Sequence, residues 1–111
     1  MAEVSFDDWK KLQMKVGQIR EVERIPKTKK LYRLQVDLGG ERPVQIVTSL
    51  VPYYTEEELQ DRKIVVLTNL QPTTFAGHLS EAMLLCAEKE DGSECVLLTV
   101  QKDIAVGSPI T

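Results

Sequence analysis

Apolar and polar residues alternate along most of the chain, and the breaks in that alternation mark its turns. Residues 14–24 alternate from Met14, then slip phase at Gly17-Gln18 before Ile19. A glycine inside a strand pattern marks a bulge or bend. The spacing therefore predicts a first strand that turns a corner at Gly17, as a small barrel requires. Residues 25–30 read as a loop, 31–37 as a second strand ended by Gly39-Gly40, and 44–48 as a third. Lys63–Leu67 reads as a buried strand. Residues 82–87 and 95–100 read as further strands around a turn at 90–93. Asn69 to Ser80 is predicted as a long loop, and the tail at 107–109 as irregular.

Two short helices interrupt the strands. Ser5 can cap a helix opening at Phe6, with Asp8 at the capping-box position, and Phe6, Trp9 and Leu12 form an apolar edge. That edge predicts docking, on the chain's own barrel end or on a second copy. Thr55 and Glu58 form a second capping box, with Glu56, Glu57 and Glu58 at the positive end of the helix dipole. Three strands, a helix and two more strands are the element order of an all-β, five-stranded OB-fold, a Greek-key barrel. An SH3-like barrel has no use for the helix between strands three and four. We expect a single domain over 1–111, with a helical extension at 1–12 and a C-terminal extension at 101–111.

Charge changes the picture. The 111 residues carry 14 basic and 17 acidic side chains, a net charge of −3, which alone disfavours a nucleic-acid binder. Residues 10–33, however, hold nine basic residues and two acidic ones, +7 locally, leaving −10 elsewhere. Screening beyond about 8 Å makes fields local, so such a chain can present a basic face. One histidine and two cysteines, Cys86 and Cys95, lack the number and spacing for a zinc site or a disulfide framework, and no cofactor is expected. Both thiols are expected to be free. The acidic N-terminus is unlike a signal peptide, and the longest apolar run, Ala82 to Ala87, is too short to span a membrane. A cytoplasmic protein is the expectation.

Candidate catalysis is thin. His78 and Ser80 share a strand parity, but nothing nearby supplies a third group to orient the histidine. No phosphate loop, dinucleotide fingerprint, nucleophile elbow or zinc-protease motif is present. Binding is better supplied. An OB-fold offers the face of strands two and three to oligonucleotides. Lys27, Lys29 and Lys30 fall in the loop between the first two strands, at the mouth of that face. Arg33 and Gln35 share one side of strand two, while Tyr32, Leu34 and Val36 take the core side. A plain lysine-rich, solvated strand pair is the competing reading.

The stretch from Asn69 to Met83, Asn-Leu-Gln-Pro-Thr-Thr-Phe-Ala-Gly-His-Leu-Ser-Glu-Ala-Met, resembles the loop motif of the tRNA-binding OB-domain family. That family comprises domains appended to methionyl-tRNA synthetases, the endothelial-monocyte-activating polypeptide II group, and stand-alone dimeric tRNA-binding proteins. Met14–Ile19, Leu31-Tyr32, Val36–Gly39 and Val47–Leu50 are similar to its other signatures, so the resemblance covers about residues 12–110.

The resemblance implies a non-catalytic module that binds the outer corner of tRNA by shape. It places Asn69, Ser80 and Met83 as the frame of the RNA site and Gly77 at the loop's turn. Each also has a structural alternative: a cap, a backbone bond, a core side chain. It implies a methionyl-tRNA synthetase catalytic subunit as partner in trans, with this chain as the β-subunit type; the Phe6, Trp9 and Leu12 edge predicts a homodimer, and the short apolar runs predict no membrane association. One departure stands out. Thr73, Thr74 and Ala76 occupy positions where the family often carries lysine or arginine. Gly77–Glu81 also resembles the loop of CsaA-like dimeric export chaperones, which are read as peptide binders; that is the alternative function. The segment from Phe6 to Leu12 resembles both groups.

Overall fold

The computed structural model describes residues 2–111. In chain order its elements are α1 (Phe6–Lys11), β1 (Met14–Arg24), β2 (Tyr32–Asp37), β3 (Val44–Thr48), α2 (Glu56–Leu59), β4 (Lys63–Leu67), β5 (Thr73–Phe75), β6 (His78–Ser80), β7 (Met83–Leu84), β8 (Cys86–Glu88), β9 (Cys95–Leu97) and β10 (Pro109–Ile110). The main sheet runs β3-β2-β1-β4-β7, all neighbours antiparallel. The stretch from Leu79 to Leu85 closes it. Glu81 donates its N–H to the Gln45 carbonyl on one side, and Leu85 donates to Val65 on the other. The result is a nearly closed five-stranded OB barrel, as the element order predicts.

Strand β1 makes closure possible by changing partners midway. Met14 to Gln18 pair with β4, and Gln18 to Arg24 pair with β2. The bulge lies at Arg20, between Ile19 and Glu21, and not at Gly17-Gln18 as the pattern suggests. Gly17 has a different cause. A Cβ there would lie 2.8 Å from Val36 Cγ1 and 2.9 Å from Leu38 Cδ2, so the bend leaves no room for a side chain.

The core is aliphatic. Ile19, Leu34, Val36, Ile46, Leu59, Ile64 and Val66 are fully buried, each stabilising the barrel by about 1.5–3 kcal/mol. Tyr32 sits among them and donates its hydroxyl to the Tyr54 carbonyl at 2.7 Å. Helix α2 forms with both halves of its capping box in place and buries Leu59. Helix α1 is capped by Ser5, which accepts from Asp8 N–H, but it buries no residue. It does not plug the barrel: Phe6 is 69% exposed and Trp9 43%.

Three predicted segments fold differently. The loop 69–80 contains a hairpin, β5–β6, turning at Ala76-Gly77 with both residues at positive φ. The strand predicted at 82–87 splits into β7 and β8, because β8 leaves the barrel to pair with β9 in a separate hairpin. The tail is not wholly irregular: β10 pairs with Met14 and Lys15. Cys86 and Cys95 are free thiols. Burial, and then the neighbouring Cys95 thiol, push Cys86 up to about 12.

Candidate nucleic-acid interface

The hairpin β5–β6 folds over the outer face of β2 and β3, the face on which an OB barrel meets nucleic acid. Side chains opposite one another in an antiparallel pair share a face, so Arg33 with Val47 and Gln35 with Gln45 line this outer surface. Val47 has outer parity yet is only 1% exposed, because the hairpin covers it. Three side-chain hydrogen bonds to β3 hold the cover down, and a fourth, within the covering segment, orients Ser80. Ser80 Oγ accepts from Val47 N–H at 3.1 Å and donates to the Ala82 carbonyl at 2.8 Å. Gln45 Nε2 donates to the Leu79 carbonyl at 2.8 Å, and Gln45 N–H donates to a Glu81 carboxylate oxygen at 3.1 Å.

What stays open is a groove of about 340 Å³ lined by Leu31, Val47, Thr48, Ser49, Phe75 and Met83. Phe75 comes from the hairpin, opposite His78 in the pairing, and is 36% exposed. Leu31 and Ser49 lead out of the groove to one end of the barrel. There Val51 donates its N–H to the Lys30 carbonyl at 3.1 Å. Lys30 thus sits at the groove mouth, with Lys29 and Lys27 on the exposed loop before it. Lys27 turns that loop with φ 65°.

The basic segment divides in two. Lys10, Lys11, Arg20 and Arg33 pair with Asp7, Asp8, Asp37 and Glu23. Lys15, Arg24, Lys27, Lys29 and Lys30 make no ion pair among the described residues and are all exposed, and the last three share the loop between β1 and β2. Arg33 is held most firmly: Nη2 donates to Glu23 at 2.7 Å, and Nη1 lies 3.3 Å from His78 Nδ1. Its charge therefore braces the hairpin.

The site residues read from sequence separate in the same way. Met83 lines the groove and Lys30 stands at its mouth. Gly77 turns the hairpin at φ 82° with open space around it, so backbone conformation is what asks for glycine there. Ser80 lies buried beneath the groove with its hydroxyl fully engaged. Gln35 donates to Gln45 Oε1 at 3.0 Å. Asn69 lies apart from the groove: its Oδ1 accepts from Gln13 N–H and its Nδ2 donates to the Lys11 carbonyl, tying the chain to the segment after α1. His78 and Ser80 form no catalytic pair, since each is bonded elsewhere. Phe75 is the residue that sequence reasoning passes over, although an aromatic beside a glycine turn was a visible signal.

A barrel with an open, partly aromatic groove and unpaired cations at its mouth belongs to the class of OB-fold binding domains. The comparisons place it within that class. The family described as "Putative tRNA binding domain" matches residues 14–109, and the chain belongs to that family. It is 44% identical over 110 residues to a methionine–tRNA ligase of Methanocaldococcus jannaschii, covering 99% of this chain and 17% of that protein. Among solved structures it is similar to a MetRS-related protein from Pyrococcus horikoshii, with TM-score 0.92, 38% identity and full coverage of both chains. It is also similar to the chaperone CsaA of Bacillus anthracis, with TM-score 0.88, 28% identity, and 99% and 100% coverage.

Proposed function

We propose that the chain is a non-catalytic, structure-specific tRNA-binding module that acts in trans with a methionyl-tRNA synthetase. The observation that carries this reading is the set of unpaired lysines, Lys27, Lys29 and Lys30, beside the outer-face groove of an OB barrel. Phosphates need cations that are not already neutralised. The similarity to methionine–tRNA ligases, confined to 17% of the M. jannaschii protein's length, supports the link to that enzyme. Tethering tRNA near a synthetase raises its effective concentration without chemistry by the module.

The same reading includes a homodimer joined through the terminal segments. Phe6, Trp9, Leu12, Met14 and Ile110 line an apolar groove of about 380 Å³ at the barrel's edge. Burying those side chains against a second copy removes their apolar surface from water. Sedimentation at micromolar concentration should report twice the chain mass; a monomer refutes the dimer.

Fluorescence titration with tRNA tests the main reading. Binding should weaken when Lys29 and Lys30 become alanine, and much less when Arg62 and Lys63 do. The likeness to CsaA and the apolar groove favour a peptide-binding chaperone as the rival. Saturable binding of an unfolded polypeptide with no binding of tRNA selects the rival.

A further inference from the structure

We infer that the groove between β3 and the hairpin receives a single unstacked nucleobase of the bound tRNA, with Phe75 as its stacking surface. This rests on the tRNA-binding reading and sharpens it: the module reads an unpaired nucleotide as well as backbone charge.

Three observations converge on the groove. First, its lining suits a base. Leu31, Val47 and Met83 are apolar, Phe75 offers a ring, and the exposed Ser49 adds a hydroxyl-bearing residue at the edge. A base has flat apolar faces and a polar edge, and aromatic side chains are the usual platforms for it. Second, the platform is held. Phe75 sits on a two-stranded hairpin that Ser80, Gln45 and Glu81 fasten to β3 and that His78 fastens to Arg33. A ring held in place loses little freedom when a base stacks on it. Third, charge at the mouth fits the occupant. Lys30 and its neighbours Lys27 and Lys29 are unpaired among the described residues, where the phosphates flanking an inserted base would lie.

Other candidates lack such convergence. The cleft lined by Arg20, Asp37 and Arg42 has these charges already paired, Arg20 with Asp37 and Arg42 with Glu81. An apolar peptide side chain would fill the base groove, but only a peptide that also placed carboxylates at the mouth would answer the lysines. Duplex RNA brings phosphates, but its bases are stacked and paired. An unpaired nucleotide supplies both.

The test compares two ligands, a folded tRNA transcript and a blunt RNA duplex of equal length, with four proteins: the unaltered chain, Phe75→Ala, Phe75→Tyr and Lys29→Ala/Lys30→Ala. Phe75→Ala should weaken tRNA binding about tenfold with the salt slope unchanged, and duplex binding less than twofold. Phe75→Tyr, which keeps a flat ring, should recover most of the loss. The lysine variant should weaken both ligands and flatten both salt slopes. Phe75→Leu keeps the groove filled without a ring, so it replaces the alanine variant if that protein unfolds early. Full tRNA affinity in Phe75→Ala, or equal loss for tRNA and duplex, overturns the base groove while lysine-dependent binding leaves the tRNA reading intact. No tRNA binding by the unaltered chain, with a Phe75-dependent affinity for an unfolded polypeptide instead, overturns both.

Discussion

Two apolar grooves of similar size mark this barrel, about 380 Å³ between the termini and about 340 Å³ under the hairpin, and their surroundings differ in charge. At the terminal groove the lysines of α1 are answered, while Lys15, next to the groove on β1, is exposed and in no ion pair among the described residues. Lys10 pairs with Asp7, Lys11 with Asp8, and the Lys10 ammonium lies 5.1 Å from the centre of the Phe6 ring. At the hairpin groove Lys27, Lys29 and Lys30 are unanswered among the described residues. Apolar lining alone does not name an occupant; the neighbouring charge does. An apolar surface whose flanking charges are mostly paired suits a second copy of the chain, and a surface with three clustered spare cations suits a polyanion. The net charge of −3 hides this, because the pairs that neutralise much of the basic segment leave its loop free.

The sharpest break of that comparison acts on each groove separately. Phe6→Asp with Trp9→Ser should abolish the dimer, halving the sedimenting mass, while the lysine loop is untouched. A dimer that survives the double change places the interface elsewhere. Neutralising Lys27, Lys29 and Lys30 together should reduce the slope of log affinity against log salt by about three units. An unchanged slope in a tRNA titration removes these lysines from the interface.

Next in size are effects on the barrel that supports the hairpin groove. Ser80→Ala leaves the Val47 N–H and the Ala82 carbonyl without their partner, a loss of about 1–3 kcal/mol. Thermal unfolding should shift down by roughly 4–8 °C per kcal/mol. Gly17→Ala forces a methyl against Val36 and Leu38 and should cost about 1–3 kcal/mol by the same measurement. Wild-type stability in either variant contradicts the packing described.

The smallest effect concerns pH. Cys86 holds its proton up to about 12 because burial disfavours the thiolate. The folded thiol's pKa is raised, so its contribution to stability is intact below the ordinary value of about 9.0 and is lost as pH rises toward 12. Alkylation of Cys86 at pH 8 should be much slower in the folded protein than in denaturant. Equal rates contradict the burial.

Local signals were legible in sequence, and cross-strand ones were not. Strands β3 and β4 and both helix caps follow from adjacent residues and appear where the pattern places them. The hairpin was hidden because Thr73, Thr74 and Phe75 are all exposed, so no buried alternation announces a strand. Gly17 was read as a bulge or bend in β1, but the bulge falls three residues on, and the glycine instead answers crowding by Val36, Leu38 and Val66. Arg33 was legible as an outward cation. That Glu23 sits directly opposite and neutralises it depends on the register of β1 against β2. The three free lysines were legible because their loop has no acidic residue within it.

The most direct measurement is a tRNA titration of the unaltered chain between 50 and 200 mM salt. Three phosphates held by Lys27, Lys29 and Lys30 predict an affinity that falls roughly 40-fold across that range. Affinity that stays level across it, or no binding at 50 mM, contradicts a tRNA site built on this loop.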